Sequence, residues 1–359
     1  MKQRICLLSS YPSTTGVGRY SNNLYETGFY ESFFYFKFQN KVKRTNENVE
    51  NYRIITPRFV PGNIYYAYSF FSKSIWSKTV SKYDFAHVTS PEFFHISKFE
   101  PNMIGTIHDM YYTQKETMDS YGKIYRKALQ MDMNFSNRLL GLTAVSKTTS
   151  TAFREFFPNI KCRVIHNWTS DVFRKIDKDL ARSKLNLPRS KFIIMNVSSE
   201  SPEKNRYFLS KVLESIADDF LFINICKGKM HLHNESKIYN ITELIDDETL
   251  CLYYNSADIY IAPSLAEGFN FPVIEAINCG VPVIASDIEI FREVLRNSPY
   301  LLKLNDLDLW KTLLTEMIQY RRSLLEAQIW YENEIGNYYR AERGKAEIED
   351  FYQSIGILS

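Results

Sequence analysis

The stretch SLAEGFNFPVIEA, residues 264–276, sets two carboxylates, Glu267 and Glu275, on either side of a Gly-aromatic-Pro turn in an otherwise apolar segment. A carboxylate with spare acceptor capacity takes paired hydrogen bonds from neighbouring hydroxyls, as on a sugar or a ribose. DIYIAPS, just before, reads as a strand; Pro272 fixes the start of a short helix, Cys279 ends it and Gly280 stops it. Glu267 then belongs to the strand-end loop, whereas Glu275 lies about one turn inside the helix. The amides of Gly268 to Asn270 fall near the helix start, where backbone N–H groups face an anion or a polar ligand. A Glu near a helix N-terminus is also stabilising with no ligand present, which explains Glu275 well and Glu267 poorly.

Three further stretches have residue types suited to chemistry. In SSYPSTTGVGRYS, Gly16 and Gly18 allow close approach of backbone N–H groups to an anion at a helix start, although the spacing is not GxGxxG. A flexible turn without a ligand explains that loop equally well. His108-Asp109, in IGTIHDMYY, ends a strand; the histidine is expected to donate a hydrogen bond or titrate near neutral pH, or else to be structural. NVSSESPEKNRYFL offers the hydroxyls of Ser198, Ser199 and Ser201 and the cation of Lys204 for phosphate oxygens, or an ordinary N-capped helix with an exposed lysine. The acid-x-acid stretches DKD at 177–179 and DLD at 306–308 sit in linker and helix-start contexts and read as capping, so no metal is expected.

The elements that must position these residues alternate along the chain. ICLLSS, FAHVTS, MIGTIHD, LLGLTAVS and CRVIHN read as strands in the first half, with GRYSNNLYETGF, the segment around IYRKALQMDMNF and KTTSTAFREFF as helices. FIIMNVSS, FLFINICKG, KIYNITELI, DIYIAPS, VPVIASD and YLLKL repeat the pattern in the second half, separated by KNRYFLSKVLESIAD, DETLCLYYNSA, PVIEAINC and EIFREVLRN. Short apolar runs alternating with helical periods indicate parallel sheets covered by helices, and two successive doubly wound units are the most economical arrangement. Asn305 is the expected cap of a helix over DLDLWKTLLTEMIQY, and the tail NYYRAERGKAEIEDFYQSIGIL is helical in pattern.

A chain of 359 residues suits two domains, and so a ligand-binding cleft. Forty-four basic against forty-one acidic side chains leave +3, and no clustered basic patch argues for nucleic acid. The aromatic stretch FYESFFYFKF followed by Lys41, Lys43 and Arg44 reads as a strand and a solvated loop, with a membrane-surface contact as the other reading. Five dispersed cysteines without CxxC suit buried thiols in a reducing compartment, and no 18-residue apolar span or signal h-region occurs. The expected location is cytoplasmic, with peripheral membrane contact allowed.

In combination these features become specific. LYYNSADIYIAPSLAEGFNFPVIEAINCGVPVIASD resembles the donor-site signature of family 4 glycosyltransferases, retaining enzymes of the two-Rossmann GT-B fold. There, two glutamates with seven residues between them flank a Gly-Phe-Gly-like loop, followed by a Gly-x-Pro-Val strand. The likeness continues through SSYPSTTGVGRYS, TIHD, TAVSK, HN, the Lys-Asn of PEKN and SDIEIFREV, in the same order over most of the chain. It implies an α/β protein of GT-B architecture: an acceptor-side Rossmann-like domain over 1–168 and a nucleotide-sugar domain over 169–336, their parallel sheets facing across a cleft. A helix over 337–359 would cross back onto the first domain.

Carried over by position, the resemblance implies that Glu267 contacts the transferred sugar, Glu275 the ribose and Lys204 the diphosphate. The amides of Phe269, Asn270 and Phe271 would assist, Gly16 to Gly18 would close over the donor, and His108 would lie by the reacting sugar. The acceptor, a glycan, lipid or protein, would enter from the N-terminal side. Two departures stand out: Ser198-Ser199 replaces the usual Gly-Arg, removing a cation from the diphosphate, and Asn270 replaces the loop's common second Gly. Arg19 is the candidate substitute cation. The family transfers by same-face attack with the departing phosphate accepting the acceptor's proton, so no carboxylate nucleophile and no cofactor beyond the nucleotide-sugar co-substrate are implied. A sugar-nucleotide epimerase on the same fold, or a binding protein without turnover, are the competing readings. A dehydrogenase fits less well, since the first turn lacks GxGxxG and FFYFKF ends in Gln39-Asn40 without a ribose-binding acid.

Overall fold

The computed structural model describes residues 3–9, 11, 15–35, 80–110 and 129–358. The run Lys41, Lys43 and Arg44, the dipeptide Gln39-Asn40, the end of FFYFKF and the start of the helix expected around IYRKALQMDMNF lie outside the described residues. The chain divides into two compact units, one of Met1–Asn167 with Glu342–Ser359 and the other of Trp168–Ala341.

In the first unit, β1 (Ile5–Ser9), α1 (Gly16–Glu26), β2 (Ser32–Tyr35), β3 (Phe85–Val88), β4 (Met103–Ile107), β5 (Gly141–Ala144), α2 (Lys147–Phe156) and β6 (Arg163–Val164) follow in order. All described strand pairs are parallel, in the order β2-β1-β3-β4-β5-β6. The strands read as near-continuous apolar runs because both faces of a parallel sheet are covered. Cys6, Leu8, Val88, Phe94, Met103 and Ile107 form a shared core with Phe93, Met133 and Phe153. Gly105 and Gly141 permit two close packings: a Cβ would meet the Phe94 ring at 2.6 Å at the first, and the Phe351 ring at 2.7 Å at the second.

The second unit contains α3 (Lys178–Lys184), β7 (Phe192–Val197), α4 (Arg206–Ser215), β8 (Phe220–Ile225), β9 (Ile238–Ile241), α5 (Asp247–Ser256), β10 (Ile259–Ala262), α6 (Phe271–Asn278), β11 (Val283–Ser286), α7 (Glu289–Val294), β12 (Leu301–Leu302), α8 (Leu307–Gln319) and α9 (Arg321–Glu334). Its sheet is also parallel, ordered β12-β11-β10-β7-β8-β9. That order is the dinucleotide-fold pattern, with the strand order reversing between β7 and β10. Ile194, Phe222, Ile259, Ile261 and Ile284 are covered by Leu209, Val212, Trp310 and Leu314 from the helices.

Local chemistry accounts for several element ends. Asp177 caps α3 and Asp246 caps α5, each carboxylate accepting from the N–H three residues on. Asp306, not Asn305, caps α8, its Oδ1 taking the Leu309 N–H at 3.0 Å. Gly280 adopts a left-handed φ of +79° just after α6, which a non-Gly side chain there would strain. The last helix, α10 (Ala341–Ser354), lies within the tail, and 337–341 stay with the second unit. Tyr339 explains this: its carbonyl accepts from Thr169 N–H at 3.0 Å and its hydroxyl donates to the Val294 carbonyl at 2.8 Å.

Candidate functional site

Ligands of open parallel sheets gather beyond the carboxyl ends of the strands at the point where the order reverses. In the second unit that point lies between β7 and β10, whose ladder pairs only Ile259 with Ile194 and Tyr260 with Met195. Beyond it the strands part, and side chains take over the backbone's hydrogen bonds. Asn196 Nδ2 donates to the Ile261 carbonyl at 2.7 Å. The Tyr260 hydroxyl accepts from Val197 N–H at 3.3 Å and donates to its carbonyl at 3.0 Å. Burial, with Glu267 and Glu275 adding to it, pushes the Tyr260 phenol well above its usual range, so it stays neutral and keeps both roles.

The loops leaving these strands are joined where they meet, Leu265 N–H donating to the Glu203 carbonyl at 2.8 Å. Lys204 ends a single 3-10 turn, Pro202–Lys204, and Asn205 follows at a left-handed φ of 52° to open α4. Lys204 Nζ then lies 2.7 and 2.8 Å from the two carboxylate oxygens of Glu267. Glu267 Oε1 also accepts from Ser264 Oγ at 2.7 Å and from Asn270 Nδ2 at 2.8 Å. Ser264 is fixed in turn by Ser286 Oγ, which donates to its carbonyl. Oε1 therefore receives three donors and Oε2 one. A carboxylate has about four acceptor sites over its two oxygens, so the remaining capacity lies on Oε2.

The turn itself is built on two buried aromatics. Phe269 and Phe271 are both buried, and Phe269 packs edge-on against Tyr339 with ring centroids 5.7 Å apart. Their backbone amides, not their rings, are what this turn can present. Between them Asn270 has φ +75° and accepts the Val273 N–H on Oδ1 at 3.3 Å, capping α6. Glu275 lies about one turn inside α6, as expected, and is only 1% exposed, with the Tyr254 hydroxyl donating to Oε2 at 2.9 Å and linking α5 to α6. Of the serines, Ser199 is exposed and shares a 2.6 Å hydrogen bond with Ser201, whereas Ser198 Oγ is shielded and without a partner among the described residues.

The first unit places its predicted residues at carboxyl ends of strands as well. Gly16 and Gly18 fall inside the first turn of α1 rather than in an open loop, and the Gly18 N–H is taken by Thr15 Oγ1 at 3.1 Å. That N–H caps its own helix, which corrects the expectation of an anion-facing amide there. Arg19, one residue on, donates its N–H to the Thr15 carbonyl. His108 follows β4, and its ring meets the Tyr20 ring edge-on at 4.8 Å. Burial lowers its pKa to about 4, against a raising contribution from the Thr89 backbone, so it does not titrate near neutral pH as its residue type suggested. Its Nε2 is shielded and without a hydrogen-bond partner among the described residues.

Sequence reasoning missed Ser264, Tyr260, Asn196 and Tyr254, none of which has a distinctive local signal. It also missed a buried chain in the first unit. There the Tyr352 hydroxyl lies 2.7 Å from His87 Nδ1, and His87 Nε2 lies 2.7 Å from Thr106 Oγ1. The Tyr20 hydroxyl lies 3.1 Å from the same Thr106 oxygen, so Tyr20 joins this chain to the ring of His108.

Comparison with known proteins places this geometry. Residues 177–332 match the family described as glycosyl transferases group 1. The O-antigen chain mannosyltransferase RfbU of Salmonella typhimurium strain LT2 is 26% identical over 234 residues, 61% of each chain, so the match spans less than two thirds of that relative. Sucrose-phosphate synthase from Thermosynechococcus elongatus superimposes with a TM-score of 0.76 at 16% identity, covering 99% of each chain. Anabaena HepE in complex with UDP-glucose does so with a TM-score of 0.71 at 14% identity, covering 98% of this chain and all of that one. The matched segment holds Lys204, Glu267, Asn270 and Glu275 together at the reversal point of the second sheet. Over that segment the chain is similar to the group 1 glycosyltransferases, and its two parallel-sheet units have the GT-B fold.

Proposed function

We propose that the protein is a retaining glycosyltransferase that moves a hexose from a nucleoside-diphosphate sugar to a hydroxyl of a glycan acceptor. The observation that carries this reading is the convergence of Lys204, Ser264 and Asn270 on Glu267 where β7 and β10 part. In it, Glu267 Oε2 accepts from hydroxyls of the transferred sugar. Lys204 and the N-terminus of α6 meet the negative charge that develops as the bond from the anomeric carbon to the diphosphate breaks. The acceptor oxygen bonds to the anomeric carbon on the face the diphosphate leaves, and its proton passes to the departing phosphate. Glu267 forms no covalent bond in this scheme. Glu275 is assigned to the ribose by its place in the signature, one turn behind the loop.

RfbU is named for mannose and the HepE complex holds UDP-glucose, and they support a nucleotide-sugar partner here without fixing base or sugar. The first name, an O-antigen chain mannosyltransferase, also supports a glycan chain as acceptor. The acid-x-acid stretches serve as caps through Asp177 and Asp306, and the reading assigns them no metal. All five cysteines are free, which fits a cytoplasmic site of action. Among the described residues no helix is long and apolar enough to cross a membrane, and peripheral contact remains part of the reading.

Thermal-shift screening with UDP-, GDP- and ADP-sugars, followed by transfer assays of wild type and Glu267→Ala, tests it. A stabilising donor and transfer that disappears in the variant are expected. Release of a changed sugar nucleotide without acceptor would mean an epimerase, and donor binding with no turnover would mean a binding protein.

A further inference from the structure

Asn270 stands where the resemblance places a glycine, at a φ of +75° that glycine adopts freely and asparagine tolerates better than most residues. Its backbone therefore meets the turn's requirement without calling for this side chain. The side chain nonetheless makes two directed bonds. Oδ1 accepts from Val273 N–H at 3.3 Å and Nδ2 donates to Glu267 Oε1 at 2.8 Å. One planar amide thus fixes the start of α6 and one oxygen of the carboxylate three residues earlier.

We infer that Asn270 is a positioning residue, which locks Glu267 so that Oε1 is spent on the protein and Oε2 is aimed at the ligand. This inference rests on the reading of Glu267 as the group that meets the transferred sugar. With Ser264 on the same oxygen, Asn270 removes the freedom of the carboxylate to rotate, a freedom that a glycine at this position leaves to Lys204 and Ser264 alone. A bare helix cap is the competing account. It needs only Oδ1 and is met equally well by an aspartate, whereas positioning needs the Nδ2 donor.

Two variants separate these accounts. Asn270→Asp keeps a residue tolerant of the left-handed region and keeps the cap, but sets a carboxylate against Glu267; Asn270→Gly keeps the turn and removes both bonds. Positioning predicts that Asn270→Gly binds the free nucleoside diphosphate as wild type does. It also predicts that both variants lose roughly tenfold or more in kcat at saturating donor, the scale of one hydrogen bond to a charged group. Unchanged kcat in Asn270→Asp overturns the inference.

A double-mutant cycle of Asn270→Gly with Glu267→Ala, read in urea unfolding, makes the test independent of catalysis. Asn270→Gly should shift the unfolding equilibrium roughly fivefold or more beyond its effect in the Glu267→Ala background. Additivity overturns the inference even if the enzyme is active. A wild type that neither binds nor turns over any nucleotide sugar sinks the functional reading instead, while the cycle still decides whether the amide holds the carboxylate.

Discussion

Lys204 and Glu267, 63 positions apart in the chain, are joined by two hydrogen bonds of 2.7 and 2.8 Å between one ammonium and both carboxylate oxygens. The carboxylate side chain is 6% exposed and the lysine 22%, so neither charge is fully returned to water if its partner is lost. Lys204→Ala is therefore expected to destabilise the second unit by about 3 kcal/mol, the scale for removing one partner of a buried pair. Lys204→Ala combined with Glu267→Gln should cost clearly less than the sum of the single changes. Urea titrations of the four proteins measure this, and additive costs would show that the pair is not coupled.

His108 should matter to turnover as a neutral imidazole. Its pKa is lowered to about 4 by burial, so between pH 6 and 8 it holds one proton and its charge does not change. No limb of the pH-rate profile near 6.5 should belong to it, and His108→Gln should lower kcat without moving the acid limb. A limb that vanishes in the variant would contradict this.

The same residue and His87 make the first unit sensitive to acid. His87 is pushed down to about 3 by burial and by His108, from an ordinary 6.5. Below 6.5 the unfolded chain takes up protons that the folded unit refuses until about 4 and about 3, so stability falls as pH drops through that window. Each histidine contributes a slope of up to about 1.4 kcal/mol per pH unit. Unfolding midpoints at pH 7 and pH 5 should differ in this direction, and less so in His87→Gln.

Gly141 lies under the last helix, where a Cβ would fall 2.7 Å from the Phe351 ring and 2.9 Å from Ile355 Cδ1. Gly141→Ala should cost about 1–3 kcal/mol through overpacking and should speed proteolysis near Glu342. Limited proteolysis followed by mass measurement reads the release of the tail, and unchanged cleavage would argue that the helix accommodates the methyl group.

Tyr254→Phe removes the hydroxyl held 2.9 Å from Glu275 Oε2 and leaves a buried acid short of a donor. A loss of about 1–3 kcal/mol is expected. If Glu275 meets the ribose, KM for the donor should rise more than kcat falls. Steady-state kinetics on a folded variant decide between that split and a purely structural effect.

The sequence determined the alternation of strands and helices, the strand-end positions of Glu267, Lys204 and His108, and the stop at Gly280, because periodicity and turn chemistry act over a few residues. It did not determine that Thr15 would claim the Gly18 N–H, that Asn270 would reach back to Glu267, or that Asp306 rather than Asn305 would cap α8. Those outcomes depend on side-chain directions within a turn, which residue type leaves open.

Only the tertiary structure decided the rest. Strand order 3-2-1-4-5-6, counted within the second sheet, brings β10 beside β7 and so sets Glu267 against Lys204. It also encloses Glu275, drawing Tyr254 from α5 onto a carboxylate that local pattern placed in the helix without a partner from another element. Both results come from which surfaces are buried together, a property of strand order and packing that local sequence pattern does not carry.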